Sequence, residues 1–112
     1  MKVITLVTQK GGSGKSTLAL SLAVAAEEAG ERVFVLEVDK QGTASKWADR
    51  RQVETPGFDR VTSEPQLDTA LSAINKQGYS LVVLDTPGTD SPLVTATIRA
   101  ADLCLVPTRP TP

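Results

Sequence analysis

The stretch of the sequence with the clearest chemistry is a glycine- and lysine-rich segment near the amino terminus. Its residues are Lys10, Gly11, Gly12, Ser13, Gly14, Lys15, Ser16 and Thr17. Glycines allow the backbone to turn tightly, so that consecutive N–H groups can point at phosphate oxygens. Lysine supplies positive charge for those phosphates, and a serine hydroxyl can bind Mg²⁺. The segment therefore predicts a site that binds a nucleotide through its phosphates.

The polar residues of this segment have separate predicted roles. We expect Lys15 to contact the β- and γ-phosphates, Ser16 to bind Mg²⁺ and Thr17 to contact the α-phosphate. The usual pattern, G-x-x-x-x-G-K-[ST], has a glycine where this chain has Gln9, and Lys10 is an additional lysine. The alternative is a glycine-rich turn between a strand and a helix, with lysines that bind nothing.

The residues on either side of the segment favour the nucleotide interpretation. An apolar run over residues 3–8 predicts a buried strand, and residues 18–29 predict a helix that Gly30 ends. A strand, a glycine-rich loop and a helix in this order form a P-loop. The amino end of the helix also carries partial positive charge, which stabilises a bound phosphate.

Strands and helices alternate along the rest of the chain. Apolar runs predict strands over residues 32–39, 58–61, 81–85 and 103–106. Helices are predicted over 43–51, from Ser63 to Gly78, and from Ser91 to about residue 101. Ser63 and Gln66 have the spacing of a capping box at the start of the second of these helices.

This alternation predicts the fold class. Nearly continuous apolar strands separated by helices indicate an α/β fold with a mainly parallel sheet covered by helices on both faces. We expect residues 1–112 to form a P-loop nucleotide-binding domain that is the amino-terminal portion of a longer fold, with an incomplete sheet. Ligands of such sheets bind beyond the carboxyl ends of the strands, where the glycine-rich segment, Asp39 and Asp85 are expected to meet.

Two aspartates that end predicted strands are candidates for chemistry on the phosphates. Asp85 follows an apolar strand, as does the Walker B aspartate that holds Mg²⁺, and Gly88 could contact a γ-phosphate through its N–H. Asp39 could orient or deprotonate the water that attacks this phosphate. Both have a structural alternative, which is a cap on the following turn for Asp85 and an Asx turn with Gly42 for Asp39.

The composition excludes several classes of protein. A net charge of −1 over 112 residues gives no broadly basic surface for nucleic acid. Without histidine there is no His-based catalysis or metal site, and Cys104 alone cannot form an internal disulfide. Because its neighbours are apolar, we expect Cys104 to be buried. No apolar stretch approaches 18 residues and no signal peptide precedes the first strand, so we expect a cytoplasmic protein that contacts no membrane.

The sequence resembles the ParA/MinD family of ATPases in four segments that occur in family order. Residues 10–17 are similar to the deviant Walker A motif, K-G-G-x-G-K-[ST]. Residues 35–42 resemble the second motif, D-x-D-P-Q-G, in which Asp39 matches the second aspartate. Residues 84–88 and 105–110 match the other two motifs, and the likeness is greater to ParA-like partition proteins than to MinD.

The resemblance implies a switch that depends on ATP and Mg²⁺ and acts in plasmid or chromosome segregation. In this family the early lysine, here Lys10, reaches the phosphates of the partner in a nucleotide-sandwich homodimer. Lys10, Lys15 and Asp39 would then be the catalytic residues. The resemblance further implies a centromere-binding partner protein and association with the nucleoid in the ATP-bound state. Non-specific DNA binding would use parts of the fold that this chain mostly lacks.

Three features depart from the family pattern. Glu37 stands at the first aspartate of the second motif, which keeps the charge but lengthens the side chain. Lys40 replaces the proline, so the loop is less stiff and has an extra cation. Family members also run to roughly twice this length. We therefore expect an exposed sheet edge or apolar helix face that drives association.

Two other functions remain open from the sequence. One is a metabolic P-loop enzyme of the cobyrinic acid or dethiobiotin synthase type, which uses ATP to activate a carboxylate. The other is an inactive nucleotide-binding fragment. The deviant Walker A motif and Gln41-Gly42 favour partition. The base would be selected by residues beyond Pro112, so ATP rather than GTP is implied by the resemblance alone.

Overall fold

Five strands form one parallel sheet in a computed structural model that describes residues 1–8, 15–38, 57–87 and 91–106. The strands are β1 (Lys2–Thr8), β2 (Val33–Val38), β3 (Gly57–Val61), β4 (Leu81–Pro87) and β5 (Leu103–Leu105). They lie in the order β3-β2-β4-β1-β5, and each neighbouring pair is parallel. The predicted α/β class and parallel sheet are therefore confirmed.

Three helices cover the two faces of the sheet within the described ranges. They are α1 (Lys15–Glu28), α2 (Glu64–Lys76) and α3 (Pro92–Ala100). The first packs against β2 and β4 on one face, whereas α2 and α3 contact each other on the opposite face. The predicted coverage of both faces is confirmed, and the predicted helix over 43–51 lies outside the described residues.

The bounds of α1 agree with the sequence prediction. The helix begins at Lys15, directly ahead of the helix-forming stretch over residues 18–29, as expected of a helix that follows the glycine-rich segment. The helix ends at Glu28, two residues before Gly30, which has φ of 100°, a left-handed conformation that favours glycine. The predicted end of this helix is confirmed.

Alternation of side chains along the strands builds two apolar cores. The core beneath α1 contains Leu6, Ala19, Ala23, Val33, Val35, Leu81 and Val83. The core beneath α2 and α3 contains Val3, Leu36, Val38, Val61, Leu67, Ile74, Val82, Leu84 and Leu93. Odd-numbered residues of β2 and β4 thus face α1, and even-numbered residues face the other two helices.

Side-chain hydrogen bonds fix the amino end of α2. The Ser63 hydroxyl oxygen accepts a bond of 3.3 Å from the Gln66 N–H, as expected of a capping residue. The side chain of Gln66 does not complete the predicted capping box, because its Oε1 accepts from the N–H and the hydroxyl of Thr62 instead. At the other end Gly78 has φ of 86°, which confirms the predicted end of the helix.

The β5 edge of the sheet is exposed and apolar. Leu103 is 51% exposed and Val106 is 50% exposed, and Ile98 of α3 is also exposed. Cys104 is exposed as well, so the prediction of a buried thiol is wrong. Among the described strands β5 pairs only with β1, which leaves its other side open. The expected exposed sheet edge is therefore present.

No helix in the described part of the chain is both long enough and apolar enough to span a membrane.

The cap at the start of α2 gives a test of the fold. We predict that Ser63→Ala lowers the free energy of unfolding by about 1 kcal/mol, because the N–H of Gln66 loses its acceptor. Chemical denaturation measures this value. Ser72→Ala is the matched control, since Ser72 lies exposed within the same helix. Equal destabilisation by the two substitutions would contradict the capping role of Ser63.

Candidate functional site

The structure brings two acidic side chains together at the carboxyl ends of β2 and β4. Glu37 and Asp85 are register partners on these adjacent strands. Neighbouring strands lie about 4.8 Å apart, and directly paired residues of a parallel sheet project to the same face. Both positions are odd-numbered, so both side chains lie on the face that α1 covers. We call Glu37 and Asp85 the acidic pair.

The acidic pair is buried. Glu37 is 2% exposed and Asp85 is 3% exposed, although both are carboxylic acids. Burial removes the water that would screen two negative charges from each other, so the repulsion between them is stronger than at a surface. Buried carboxylates persist when positive charge, protons or hydrogen bonds compensate them. The pair places two carboxylate groups side by side at this end of the sheet, and carboxylate oxygens are ligands that Mg²⁺ prefers.

The amino end of α1 lies at the same edge of the sheet as the acidic pair. The helix follows β1 and runs back across β2 and β4, so it starts where these parallel strands end. Ala19 and Ala23 are buried in the core beneath α1, and these small side chains permit close approach of the helix to the sheet. A helix amino terminus carries partial positive charge and unpaired N–H groups, which bind anions such as phosphate.

The acidic pair and the helix terminus together fit Mg²⁺ that arrives with a nucleotide. Mg²⁺ prefers oxygen ligands and is usually held by one or two carboxylates, water and substrate phosphates. The described residues contain no group of three or more His, Cys, Asp or Glu side chains that could hold a metal. Two adjacent carboxylates are a donor set that fits a metal shared with phosphates.

The predicted site residues fall into three groups in the structure. Asp85 is buried and lies in β4, at the carboxyl ends of the strands, where it was expected. Lys15, Ser16 and Thr17 form the first turn of α1, at that same edge, and the roles predicted for their side chains stay predictions. The remaining ones lie outside the described residues; they are Lys10, Gly11, Gly12, Ser13, Gly14, Asp39 and Gly88.

Sequence reasoning did not identify Glu37 as a neighbour of Asp85. It treated Glu37 only as a substituted position within a motif. The sequence does indicate that Glu37 lies on the same face of β2 as Val33 and Val35, because alternate residues of a strand share a face. It does not indicate that β2 pairs with β4, since these strands are far apart in the sequence and adjacent only in the sheet.

Comparison with known proteins gives matches over nearly the whole chain. Residues 4–102 match the family described as the CobQ/CobB/MinD/ParA nucleotide binding domain. The maintenance of carboxysome distribution protein A of Gloeobacter kilaueensis is 43% identical over 113 residues, which cover 99% of this chain and 50% of that protein. The chromosome-partitioning ATPase Soj of Thermus thermophilus is 32% identical over 132 residues, with 93% of this chain and 53% of that protein covered.

A solved structure shares the fold. A chain of the MinC:MinD cell division protein complex of Aquifex aeolicus superposes with a TM-score of 0.67 at 18% identity, over 95% of this chain and 55% of its own length. The present chain spans about half the length of the curated relatives it matches. Because the family match extends over most of the residues and the parallel α/β fold agrees with it, the chain belongs to the CobQ/CobB/MinD/ParA family of nucleotide-binding domains.

Proposed function

We propose that the protein is a Mg²⁺- and ATP-dependent dimerising ATPase that acts in plasmid or chromosome segregation. The observation that carries the proposal is the acidic pair, Glu37 and Asp85, at the carboxyl ends of β2 and β4, where α1 begins. In a nucleotide-binding domain, phosphate at the helix terminus and Mg²⁺ at the carboxylates would meet there. The name of the Soj relative, a chromosome-partitioning ATPase, supports the segregation role.

The proposal assigns a role to each predicted site residue. Phosphates bind to the backbone and side chains of Lys10, Gly11, Gly12, Ser13, Gly14, Lys15, Ser16 and Thr17. Ser16 and Asp85 hold Mg²⁺, which neutralises negative charge on the phosphates when bound, and Glu37 adds its charge beside them. Asp39 orients the attacking water and the N–H of Gly88 contacts the γ-phosphate.

The proposed switch has two subunits. Lys15 binds the nucleotide of its own subunit, and Lys10 reaches the nucleotide of the partner in a homodimer that closes around ATP. A centromere-binding protein then stimulates hydrolysis, and the ATP-bound dimer associates with the nucleoid through non-specific DNA binding. Support for this part comes from the deviant Walker A segment and from family membership.

Distribution of carboxysomes is a second candidate for the process that the switch serves. It is favoured by the 43% identity with the Gloeobacter kilaueensis protein, over 99% of this chain. Deletion of the gene distinguishes segregation from carboxysome distribution, because each process would leave a different component of the cell misplaced. Loss of plasmids or chromosomes from daughter cells supports segregation, whereas misplaced carboxysomes with normal inheritance of DNA support the second candidate.

Measurement of ATP turnover by the intact protein tests the proposed activity. We expect hydrolysis that requires Mg²⁺, proceeds without any small carboxylic acid and is stimulated by DNA. A strict requirement for a carboxylic acid would instead favour an enzyme of the cobyrinic acid or dethiobiotin synthase type. Binding of ATP without turnover under any of these conditions would favour an inactive nucleotide-binding protein.

The role of Lys15 is testable by substitution. We predict that Lys15→Ala weakens ATP binding about 100-fold, because hydrogen bonds from a charged group to phosphate are lost. Calorimetric titration with Mg²⁺-ATP measures the affinity. Lys76→Ala is the control, since Lys76 is an exposed residue in the last turn of α2. Wild-type affinity in Lys15→Ala would contradict the predicted phosphate contact.

The role of Lys10 is separable from that of Lys15. We predict that Lys10→Ala binds ATP with an affinity near that of the wild type but no longer dimerises with ATP, because its proposed contact is with the partner's phosphates. Light scattering after size-exclusion chromatography, with and without ATP, measures the dimer. Normal ATP-dependent dimerisation of Lys10→Ala would rule out the sandwich arrangement for this protein.

The acidic pair predicts energetic coupling between its two members and a response to metal. In EDTA we expect the effects of Glu37→Gln and Asp85→Asn on the free energy of unfolding to be non-additive by about 0.5 kcal/mol or more, because the two buried residues are neighbours across the sheet. Asp85→Asn should also no longer be stabilised by Mg²⁺ with nucleotide.

Thermal or chemical denaturation measures these differences, and Glu28→Gln at the exposed end of α1 is the control. Strict additivity of the two substitutions would show that the carboxylates do not interact. Destabilisation by both would show that each carboxylate is required for the fold itself.

A further inference from the structure

Buried hydroxyl groups lie between the sheet and α3, opposite the face that holds the acidic pair. Thr5 of β1, Thr86 of β4 and Thr97 of α3 are all 0% exposed. The Thr86 hydroxyl donates a hydrogen bond of 3.0 Å to the backbone carbonyl of Leu6 in β1. This bond crosses from the strand that carries Asp85 to the strand that leads toward the glycine-rich segment.

The position of this bond relates it to the proposed site. Thr86 directly follows Asp85, and Leu6 is the register partner of Asp85 in β1. The register partner of Thr86 itself is Val7, so the hydroxyl bond runs diagonally and opposes sliding of β4 along β1. Two residues after Leu6, β1 ends at Thr8, beyond which the chain enters the phosphate-binding segment.

Packing alone does not explain a threonine at this position. Valine has nearly the same shape as threonine, is favoured in strands, and would suit the apolar face around Leu84 and Val82. The hydroxyl therefore contributes a directed bond to the carbonyl of Leu6 rather than volume. Removal of a group that hydrogen-bonds a metal ligand typically changes metal affinity by about 10- to 100-fold. The Thr86 hydroxyl bonds to the backbone beside Asp85 and not to its carboxylate, so we expect an effect at or below the lower end of this range.

We propose that Thr86 is a positioning residue for the Mg²⁺ site. Its bond to Leu6 fixes β4 relative to β1, and thereby fixes Asp85 relative to the carboxyl end of β1, from which the sequence leads into the proposed phosphate-binding segment. Because Mg²⁺ bound to phosphate requires ligands in near-octahedral positions, a small shift of Asp85 weakens metal binding even when the protein remains folded. This inference rests on the proposed function, since it assumes that Asp85 holds Mg²⁺ with a nucleotide.

The fold provides a matched control for Thr86. The Thr5 hydroxyl is equally buried and donates a bond of the same length, 3.0 Å, to the backbone carbonyl of Thr97. That bond joins β1 to α3, whereas the bond of Thr86 joins β4 to β1 next to Asp85. Thr86→Val and Thr5→Val therefore remove the same chemical interaction from two different places, and Thr86→Ser retains the hydroxyl while it removes a methyl group.

The test measures ATP affinity of the intact protein across a titration of Mg²⁺ and in EDTA, together with the melting temperature. We expect Thr86→Val to raise the half-saturating Mg²⁺ concentration by up to about tenfold, with ATP affinity in EDTA unchanged. Thr86→Ser should retain wild-type Mg²⁺ dependence. Thr5→Val should also retain it, although both valine variants lower the melting temperature by a similar amount, about 5 °C.

Several results would overturn the proposal. A wild-type Mg²⁺ requirement in Thr86→Val, or an equal change in Thr5→Val, would show that the bond to Leu6 does not act on the metal site. An equal loss of ATP affinity in EDTA would show a general effect on the fold. Equal affinity of the wild-type protein for ATP with and without Mg²⁺ would contradict the proposed function itself. The role of Thr86 would then be excluded as well, because it depends on that function.

Discussion

The register of three parallel strands is the constraint on which the candidate site depends. Backbone pairing sets Leu6 of β1, Asp85 of β4 and Glu37 of β2 in one row across the sheet. A shift of one residue in β4 would turn Asp85 toward α3 and bring Leu84 to the face beneath α1. The apolar residues that stabilise the register therefore also determine which face of the sheet the carboxylates lie on. The same packing thus determines both the fold and the geometry of the candidate site.

The two faces of the sheet use polar groups in different ways. On the α3 face, buried hydroxyls donate to backbone carbonyls, so their burial is compensated within the protein. On the α1 face, two buried carboxylic acids lie side by side at the carboxyl ends of their strands, where α1 begins. The buried polar groups of the two faces therefore differ in chemistry, with neutral hydroxyls on one face and acids on the other.

The sequence predicted those features that depend on short-range chemistry. Ser63 as a helix cap and Gly30 and Gly78 as helix ends were identified because each acts on residues within a few positions of itself. The nearly continuous apolar runs of β2 and β4 likewise identified buried strands. The apolar residues around Cys104 identified a strand correctly, but not its place at the sheet edge, which depends on strand order.

Features that depend on long-range pairing could not be read from the sequence. Glu37 and Asp85 are adjacent because β4 lies between β1 and β2, and no local pattern specifies that order. The same applies to the bond from Thr86 to Leu6, two residues that are 80 positions apart. The hydrogen bonds from Thr62 to Gln66 were missed for a different reason, since Thr62 and Ser63 are neighbours and the side chain of Gln66 can accept from either.

A nucleotide titration of the intact protein, with ATP and GTP, each with and without Mg²⁺, tests the central claim most directly. If the buried carboxylates of β2 and β4 form a metal–nucleotide site, the affinity for nucleotide rises markedly when Mg²⁺ is added. The family resemblance adds the expectation that ATP binds more tightly than GTP. Absence of nucleotide binding, or an affinity for ATP that Mg²⁺ does not change, would contradict the account.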